Sequence, residues 1–478
     1  MKKRIVSILI LFCLNLNAET TGDLDKTYGT KGLVTYQHGS TGANYHLASV
    51  LDSSGRLLVL NGYGNSNNPD DLFLVIYRFL PSGAQDFSYS PTVLLIDAFL
   101  SGGNFSLVID DFNGVFLGYS NYTCTAPNTE CQQDIYIKHY SINGSLVGSQ
   151  TIAFDYGSTY LRQNDKFADM VFIPDTFGNN TRMLAIAATV DYSNVNDTDF
   201  GVVLLDVSND GSLYLRTSFS SDGKATCAFD QDIIHNGVGV DVASSIALEF
   251  GSPLEFIIGG SAFEGNGANN DGWNLAFCKF NVLGTIVQSF STQPLADTFY
   301  DVEILQDMYY SNIDAEKLIV ATKFSTGNDN DFVIGEYLQS SNNWQFNNSF
   351  GTNGWASVGF NELFIGDTND VIQTIAVEPD KNITVAGTMQ WQDGGGNYSK
   401  IALARFNQLG VLNTNWGING SKVHDFSGVA KTQVNDMVYD FYEKELYFVG
   451  QYPNGSFSTT YIANVLDNPD LIFLSGFE

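Results

Sequence analysis

Positive charge is scarce in this sequence, and its scarcity excludes several classes of protein. The 478 residues include 22 lysines and arginines against 52 aspartates and glutamates, which gives a formal net charge of −30 at pH 7. Such a surface repels nucleic acids and anionic lipid headgroups, so neither is an expected partner. The charge suits a soluble extracellular protein, and an acidic surface would also attract divalent cations.

Long apolar runs are absent beyond the N-terminus, so no membrane span is predicted. The chain opens MKKRIVSILILFCLNLNA, in which three basic residues precede the apolar stretch Ile5–Leu14 and the small residue Ala18. This three-part pattern predicts a Sec-type signal peptide over residues 1–18 rather than a buried strand, and hence a secreted, periplasmic or extracellular protein. Its removal takes three of the 22 basic residues and leaves a net charge of −33.

Cysteine is rare, and its number is informative. Four cysteines remain outside the signal peptide, an even count that predicts two disulfides in an exported chain. Cys124 and Cys131 flank a short polar loop and are expected to pair, which leaves Cys227 to pair with Cys278. A zinc site is the alternative, but the sequence lacks the second Cys-x-x-Cys and the nearby histidine pair that such a site would use.

Catalytic motifs are missing. The sequence has no G-x-S-x-G elbow, no H-E-x-x-H and no P-loop, so no catalytic residue is assigned. The five histidines are scattered over different parts of the chain. His139 stands where other copies of the repeat described below have arginine or lysine, and we expect it to face solvent or an acidic neighbour.

Short β-type segments are abundant. Seven copies of one pattern follow one another at a spacing of about 60 residues. Each has an apolar strand, a short turn, a second strand, a polar loop and a third strand, with a glycine or another turn residue just after it. No segment sustains a helical period. We predict an all-β fold, a single seven-bladed β-propeller over residues 19–470 with a tail over 471–478; a β-solenoid is the alternative.

An aromatic-Gly-x-x-Gly motif indicates how the ring closes. Its two later copies follow a third strand and introduce a fourth, outer strand, whereas the first copy has no repeat before it. We therefore predict that Gly32–Tyr36 supplies the fourth strand of the last blade. The glycines should adopt positive φ, and the aromatic should pack between blades. The motif residues are Tyr28, Gly29, Gly32, Phe350, Gly351, Gly354, Trp416, Gly417 and Gly420.

Three segments carry a family resemblance. LDKTYGTKGLV, LNTNWGING and IALARFNQLG resemble the delta-60 repeat, a bacterial extracellular repeat assigned as a β-propeller. The resemblance extends over the ring but is strongest in the fifth and sixth copies and at the N-terminus. It implies the fold and export, and it carries no activity or catalytic residues. The ending LIFLSGFE is similar to tails of exported proteobacterial proteins, with Ser475 in place of their usual aspartate.

Two acidic features are candidate sites. The loops between second and third strands place Asp199, Asp271 and Asp331 beside asparagines, an arrangement typical of calcium ligands and equally of ordinary turns. The first strand of each copy should line the central channel. There Asp169, Asp301 and Asp436 are candidates for an acidic patch that would hold a cation or an amine, and a polar, water-filled channel is the alternative.

These observations leave two main functional hypotheses. The first is a secreted, monomeric, non-enzymatic propeller that binds or scaffolds an extracellular protein, a glycan or a small molecule. The second is a hydrolase or lactonase-like propeller enzyme with its site at the central channel, assisted by calcium, the one cofactor the sequence suggests. A third, a purely structural surface protein with adhesive loops, differs from the first in whether an apolar surface is concentrated at one place.

Overall fold

Thirty β-strands and no helix make up the regular structure of the described residues, so the all-β prediction is confirmed. No helix that could cross a membrane occurs in that part of the chain. The predicted signal peptide and C-terminal tail lie outside the described residues. The structure, a computed structural model, describes residues 22–36, 44–65, 68–90, 93–97, 104–126, 129–154, 164–175, 181–191, 197–229, 239–249, 254–264, 272–291, 304–311, 316–325, 330–340, 343–360, 369–393, 396–424, 431–454 and 457–466.

The strands form antiparallel units that follow the repeats of the sequence, and we number these units 1 to 7 in chain order. Units 5 and 6 are joined into one nine-stranded sheet through a parallel bridge between Asn330 and Asn369. Units 1 to 4 comprise β2 (Asn44–Leu51), β3 (Leu57–Asn65), β4 (Asn68–Phe79) and β5 (Val93–Asp97); β6 (Ser106–Ile109), β7 (Val115–Ala126), β8 (Thr129–Tyr140) and β9 (Leu146–Ile152); β10 (Lys166–Ile173), β11 (Arg182–Asp191), β12 (Thr198–Val207), β13 (Leu213–Leu215) and β14 (Lys224–Cys227); and β15 (Asp241–Glu249), β16 (Glu255–Glu264), β17 (Gly272–Asn281) and β18 (Ile286–Ser291).

The remaining units have the same strand order, and unit 7 takes its fourth strand from the N-terminus. As predicted, β1 (Leu33–Tyr36) pairs antiparallel with the last strand of the chain, with Leu33 opposite Ala463. Units 5 to 7 comprise β19 (Ile304–Ser311), β20 (Lys317–Ser325), β21 (Asn330–Ser340), β22 (Asn343–Phe346) and β23 (Trp355–Val358); β24 (Asn369–Val377), β25 (Ile383–Asp393), β26 (Gly396–Phe406) and β27 (Ser421–His424); and β28 (Gln433–Asp440), β29 (Glu445–Asn454), β30 (Phe457–Leu466) and β1.

The hydrophobic core is divided among the contacts between units. Seven clusters of buried side chains occur in the described residues, and each joins two consecutive units, including units 7 and 1. The first strands of consecutive units also contact one another, from β2 through to β28 and back to β2. A single sheet therefore buries its faces only by packing against both of its neighbours.

The aromatic-Gly-x-x-Gly motif forms part of these contacts. Tyr28, Phe350 and Trp416 are at most 2% exposed, and the two glycines of each motif have positive φ, as predicted. In the motifs at Tyr28 and Phe350, and at Tyr89 and Phe219, where serine replaces the first glycine, the residue after the aromatic donates its N–H to the next unit. The acceptor is the carbonyl that precedes that unit's turn glycine. These pairs are Gly29 to Ser82 (3.1 Å), Ser90 to Asn143 (3.1 Å), Ser220 to Leu283 (3.0 Å) and Gly351 to Leu409 (2.8 Å).

A disulfide crosses from unit 3 to unit 4. Cys227 at the end of β14 is bonded to Cys278 in β17, as predicted, and both residues are buried in the cluster between the two units. Cys124 and Cys131 lie directly opposite one another in the register of β7 and β8. Their side chains lie outside the described part of the structure, so their bond stays a prediction.

Gly83 should be intolerant of a side chain. It has φ of 82°, and an added Cβ would lie 2.7 Å from Val34 and 3.1 Å from the Tyr28 ring. Gly83→Ala should lower the free energy of unfolding by about 1–3 kcal/mol, because it adds both strain and overpacking. Gly64→Ala is the matched control, since its Cβ would meet nothing within 4 Å. Equal denaturation midpoints for the two variants would contradict this view of the contact.

Loss of the Cys227–Cys278 bond should be costly. The bond closes a sequence separation of 51 residues, and such a crosslink typically contributes about 2–4 kcal/mol. The double variant Cys227→Ala, Cys278→Ala should lose about that much in denaturant unfolding. The variant Cys124→Ala, Cys131→Ala should lose less, because its bridge would close a much shorter loop. A larger loss in the second variant would argue against the assignment.

Candidate functional site

The first strands carry a β-bulge at one repeated position. In six of the seven first strands the pairing register with the second strand skips one residue there. A bulge re-aims the side chain that follows it, and bulges are common next to active sites. The residues directly after the skip are Ala48, Asp169, Ser245, Asp307, Thr374 and Asp436.

Three of these residues are aspartates from alternate units, namely units 3, 5 and 7. We call Asp169, Asp307 and Asp436 the central carboxylates. Each is partly exposed, and each lies on a first strand that contacts the first strands of its neighbours. They are close enough to interact electrostatically, since the charges of Asp169 and Asp436 both raise the pKa of Asp307.

Each central carboxylate links two consecutive units by hydrogen bonds. Asp307 Oδ1 accepts the N–H of the following residue, Met308, at 2.7 Å. Its Oδ2 accepts the Thr374 hydroxyl at 3.2 Å and the Ile375 N–H at 3.0 Å, both from unit 6. The other two repeat this arrangement across units, Asp436 with the hydroxyl and N–H of Ser49 (both 2.7 Å) and Asp169 with the Ser245 hydroxyl and the Ile246 N–H (both 3.3 Å).

The surroundings of these carboxyls favour their neutral form. Burial raises the pKa of Asp307 to about 7 and that of Asp436 to about 6, and it also raises the pKa of Asp169. Hydrogen bonds from backbone N–H groups oppose the shift, and repulsion between the carboxylates adds to it. Near neutral pH Asp307 and Asp436 therefore differ in their degree of protonation, which general acid–base chemistry requires of its acid and its base.

The structure supports part of the predicted patch and corrects its alignment. Asp169 and Asp436 occupy equivalent positions, directly after the bulge of their first strands. Asp301 lies outside the described residues, and Asp307 takes the equivalent place in unit 5. Asp307 resembles a turn residue in the sequence, but β19 continues through it to Ser311.

A short sequence signal would have identified the three positions together. Each central carboxylate is followed by methionine, as Asp169-Met170, Asp307-Met308 and Asp436-Met437. The chain has only six methionines, so three at one repeat position are unexpected by chance. These methionines are buried between units, while the aspartate before each points to the opposite side of the strand.

The predicted calcium positions are not brought together. Asp199 lies in β12 of unit 3 and Asp331 in β21 of unit 5, and Asp271 lies outside the described residues. No group of three or more histidine, cysteine, aspartate or glutamate side chains that could hold a metal ion occurs among the residues described.

His139 has an acidic neighbour, as predicted, and it is buried rather than exposed. Its Nε2 lies 3.0 Å from Asp110 Oδ2, and its Nδ1 lies 2.9 Å from the Gly211 carbonyl of unit 3. Arg182 of unit 3 contacts the same Asp110 oxygen at 3.0 Å. This histidine therefore belongs to a buried hydrogen-bond network that joins units 2 and 3.

Comparison with known proteins assigns no family and no activity to this chain. No protein family profile and no curated protein matches the sequence. Similar solved structures include the polysaccharide lyase Uly1 (12% identity, 92% of this chain, 93% of that one, TM-score 0.44). Others are the α-L-arabinofuranosidase Arb93A from Fusarium graminearum (12%, 75% and 91%, 0.41) and the β-propeller domain of Nup133 from Vanderwaltozyma polyspora (10%, 91% and 100%, 0.40). No activity follows from likenesses this low.

Acid should strengthen the contribution of Asp307 to stability. Its pKa is about 7 in the folded chain against an ordinary 3.8, so the stabilisation is complete below 3.8 and is lost as pH rises through about 7. The stability difference between wild type and Asp307→Asn should shrink by on the order of 2 kcal/mol from about pH 5 to about pH 8. Denaturant titrations at several pH values measure it.

Asp210→Asn is the matched control for this experiment. Asp210 is exposed, and hydrogen bonds from Ser212 lower its pKa, so it stays ionised over the whole range. Its stability difference from wild type should therefore not change with pH. A pH-independent difference for Asp307→Asn as well would contradict a raised pKa at the centre.

Proposed function

We propose that this chain is an exported, seven-bladed β-propeller enzyme of the delta-60 repeat type that hydrolyses glycosidic bonds at its central carboxylates. Seven inter-unit clusters and the pairing of β1 with β30 support the closed ring. The N-terminal basic and apolar segments support export. The observation that carries the activity is Asp307, a carboxyl on a first strand with a pKa of about 7 that interacts electrostatically with two further carboxyls on first strands.

The assigned roles follow from the order of the pKa values. The pKa of Asp307, about 7, is higher than that of Asp436, about 6. Asp307 therefore keeps its proton to higher pH and acts as the general acid toward the departing glycosidic oxygen. Asp436, ionised above about pH 6, acts as the base for water or as the carboxylate that faces the sugar carbon. Asp169 is the third carboxyl of the group and interacts electrostatically with both of the others.

The sign of the charge distinguishes glycoside cleavage from ester or lactone cleavage. Glycoside hydrolysis passes through a transition state with positive charge on the sugar, which neighbouring carboxylates stabilise. Ester and lactone hydrolysis develops an oxyanion, which the same carboxylates would repel. The interactions that set the pKa values of the three carboxyls come from backbone N–H groups, hydroxyls and the carboxyls themselves, with no cation among them.

One observation favours a second candidate, a non-catalytic propeller that binds an extracellular ligand. Both oxygens of Asp307 and of Asp436 are engaged by the backbone and by the next unit. Carboxylates used in this way act as links between blades, and the acidic group would then serve stability and cation or hydroxyl binding alone.

Activity assays on paired substrates separate the two candidates. Wild type, Asp307→Asn and Asp436→Asn are assayed on nitrophenyl glycosides, which have good leaving groups, and on oligosaccharides, which do not. Asp307→Asn should lose about 10²–10⁴-fold in kcat on oligosaccharides and much less on nitrophenyl glycosides, because only a poor leaving group needs the acid. Asp436→Asn should lose activity on both, and Asp210→Asn on neither.

The pH profile gives an independent readout. With a base near pKa 6 and an acid near 7, kcat/KM should follow a narrow bell centred between these values. Turnover that both aspartate variants retain would overturn the catalytic assignment. Glycan binding without turnover, weakened in the same variants, would instead establish the second candidate.

A further inference from the structure

The bulge in the first strand of unit 6 contains a polar side chain whose buried end has no partner. Gln373 lies between Ile372 and Thr374, where the register of β24 and β25 skips a residue, so no residue of the sheet stands opposite it. Its amide oxygen is buried and makes no hydrogen bond within the described part of the chain, while the residue as a whole is partly exposed. A buried acceptor without a donor costs free energy, so this atom indicates a position that a ligand or a water completes.

Gln373 lies between the strands of the two carboxyls to which catalytic roles are assigned. Strand β24 contacts both β19, which carries Asp307, and β28, which carries Asp436. The residue after Gln373, Thr374, donates its hydroxyl to Asp307 Oδ2 at 3.2 Å. The residue before it, Ile372, is fully buried in the core between units 5 and 6. The side chain of Gln373 therefore lies on the side of the strand opposite that core.

Amide side chains occupy this bulge position in three consecutive units. The residues that the register skips in units 5, 6 and 7 are Gln306, Gln373 and Asn435. In units 1, 3 and 4 the skipped residues are Leu47, Ala168 and Ser244. Asp307 and Asp436 are thus each preceded by an amide, whereas Asp169 is preceded by a buried alanine. The amides therefore accompany the proposed acid and base rather than all three carboxyls.

An amide complements a sugar in a way that a carboxylate does not. Its oxygen accepts and its nitrogen donates, so one amide can bind two neighbouring hydroxyls, one of which donates while the other accepts. Ionised carboxylates only accept, and they would repel an anionic sugar residue. A row of amides beside Asp307 and Asp436 is therefore suited to a neutral sugar with adjacent hydroxyl groups.

We infer that Gln373 binds two adjacent hydroxyls of the sugar residue whose glycosidic bond is cleaved, and that Asn435 contributes a further contact from unit 7. One hydroxyl donates to the buried Gln373 Oε1, and its neighbour accepts from Nε2. The inference rests on the proposed glycosidase activity and adds to it a substrate class, a neutral sugar with a vicinal diol, which lies over units 5 to 7. Gln373 is a specificity-determining residue, since it contacts hydroxyls and not the reacting carbon or oxygen.

Deoxy substrates test the contact directly. Nitrophenyl glycosides of glucose, galactose, mannose and xylose identify the best neutral substrate, and its 2-deoxy and 3-deoxy analogues each lack one hydroxyl. Gln373→Leu should lower kcat/KM on the complete sugar about 10- to 100-fold. The ratio of kcat/KM between the complete sugar and one deoxy analogue should fall about tenfold in this variant, because the hydroxyl has lost its partner. Equal ratios in wild type and Gln373→Leu for both analogues would overturn the inference.

Matched variants separate this contact from a general effect on the fold. Gln345, exposed on β22 of unit 5, is the control, and Gln345→Leu should leave kcat/KM unchanged. Asn435 is exposed, so Asn435→Ala should fold even if Gln373→Leu does not, and it should lower kcat/KM on the complete sugar about threefold to tenfold. Equal values for Asn435→Ala and Gln345→Leu would contradict the contact from unit 7.

The pH profile distinguishes substrate recognition from an effect on the acid. Gln373→Leu should keep the pH dependence of wild type. Thr374→Val removes a hydrogen bond to Asp307, so it should move the alkaline limb of kcat/KM to higher pH. A similar displacement in Gln373→Leu would overturn the assignment, because Gln373 would then act through Asp307 rather than on the sugar.

A matched pair of substrates tests the predicted charge. Nitrophenyl glucoside and nitrophenyl glucuronide differ only at C6, where the glucuronide carries a carboxylate. Wild type should have at least about tenfold lower kcat/KM on the glucuronide, because the carboxyls at the centre repel it. Equal or better cleavage of the glucuronide would contradict the neutral substrate class.

Binding measurements separate this inference from the proposed activity. Affinity of the full chain for the same neutral glycosides is followed by chemical-shift changes, which need no turnover. Binding that Gln373→Leu weakens and Gln345→Leu does not, without turnover in wild type, would establish the sugar site and overturn the catalytic assignment. Turnover that Gln373→Leu and Asn435→Ala retain in full would overturn the sugar site alone. Absence of both binding and turnover in wild type would overturn both.

Discussion

The contact between consecutive units is the constraint on which the rest of the structure depends. Each sheet is apolar on both faces, and every core cluster in the described residues is shared by two units. The motif at Tyr28 and Gly29 packs on the turn at Gly83 of the next unit, and the same contact recurs at Phe350 and Gly410. A glycine is needed on the receiving side because the ring and the backbone N–H approach too closely for a Cβ.

This constraint explains why the N-terminal segment belongs to unit 7. Without β1, strand β30 would present an open edge, and the cluster between units 7 and 1 would lose Tyr28. The chain ends are therefore held by the same contact that repeats inside the protein. Stability in such an arrangement resides in the interfaces, so damage to one interface affects both of its units.

The central carboxylates are held in place by the same interfaces between units. Thr374 and Ser49, whose hydroxyls face Asp307 and Asp436, belong to the following unit, so the interface fixes the position of each acid. Holding three carboxyls near one another without a cation costs stability, as their raised pKa values indicate. Carboxyls whose pKa values are raised in this way are typical of functional sites.

Much of the architecture could be predicted from sequence, and the site could be predicted only in part. Repetition is visible directly, and the isolated first motif predicted the pairing of β1 with β30. The central group was harder, because a bulge shifts the register by one residue and an aspartate inside a strand resembles the turn that ends it. The sequence therefore pointed to Asp301 rather than to Asp307 as the acidic residue of unit 5.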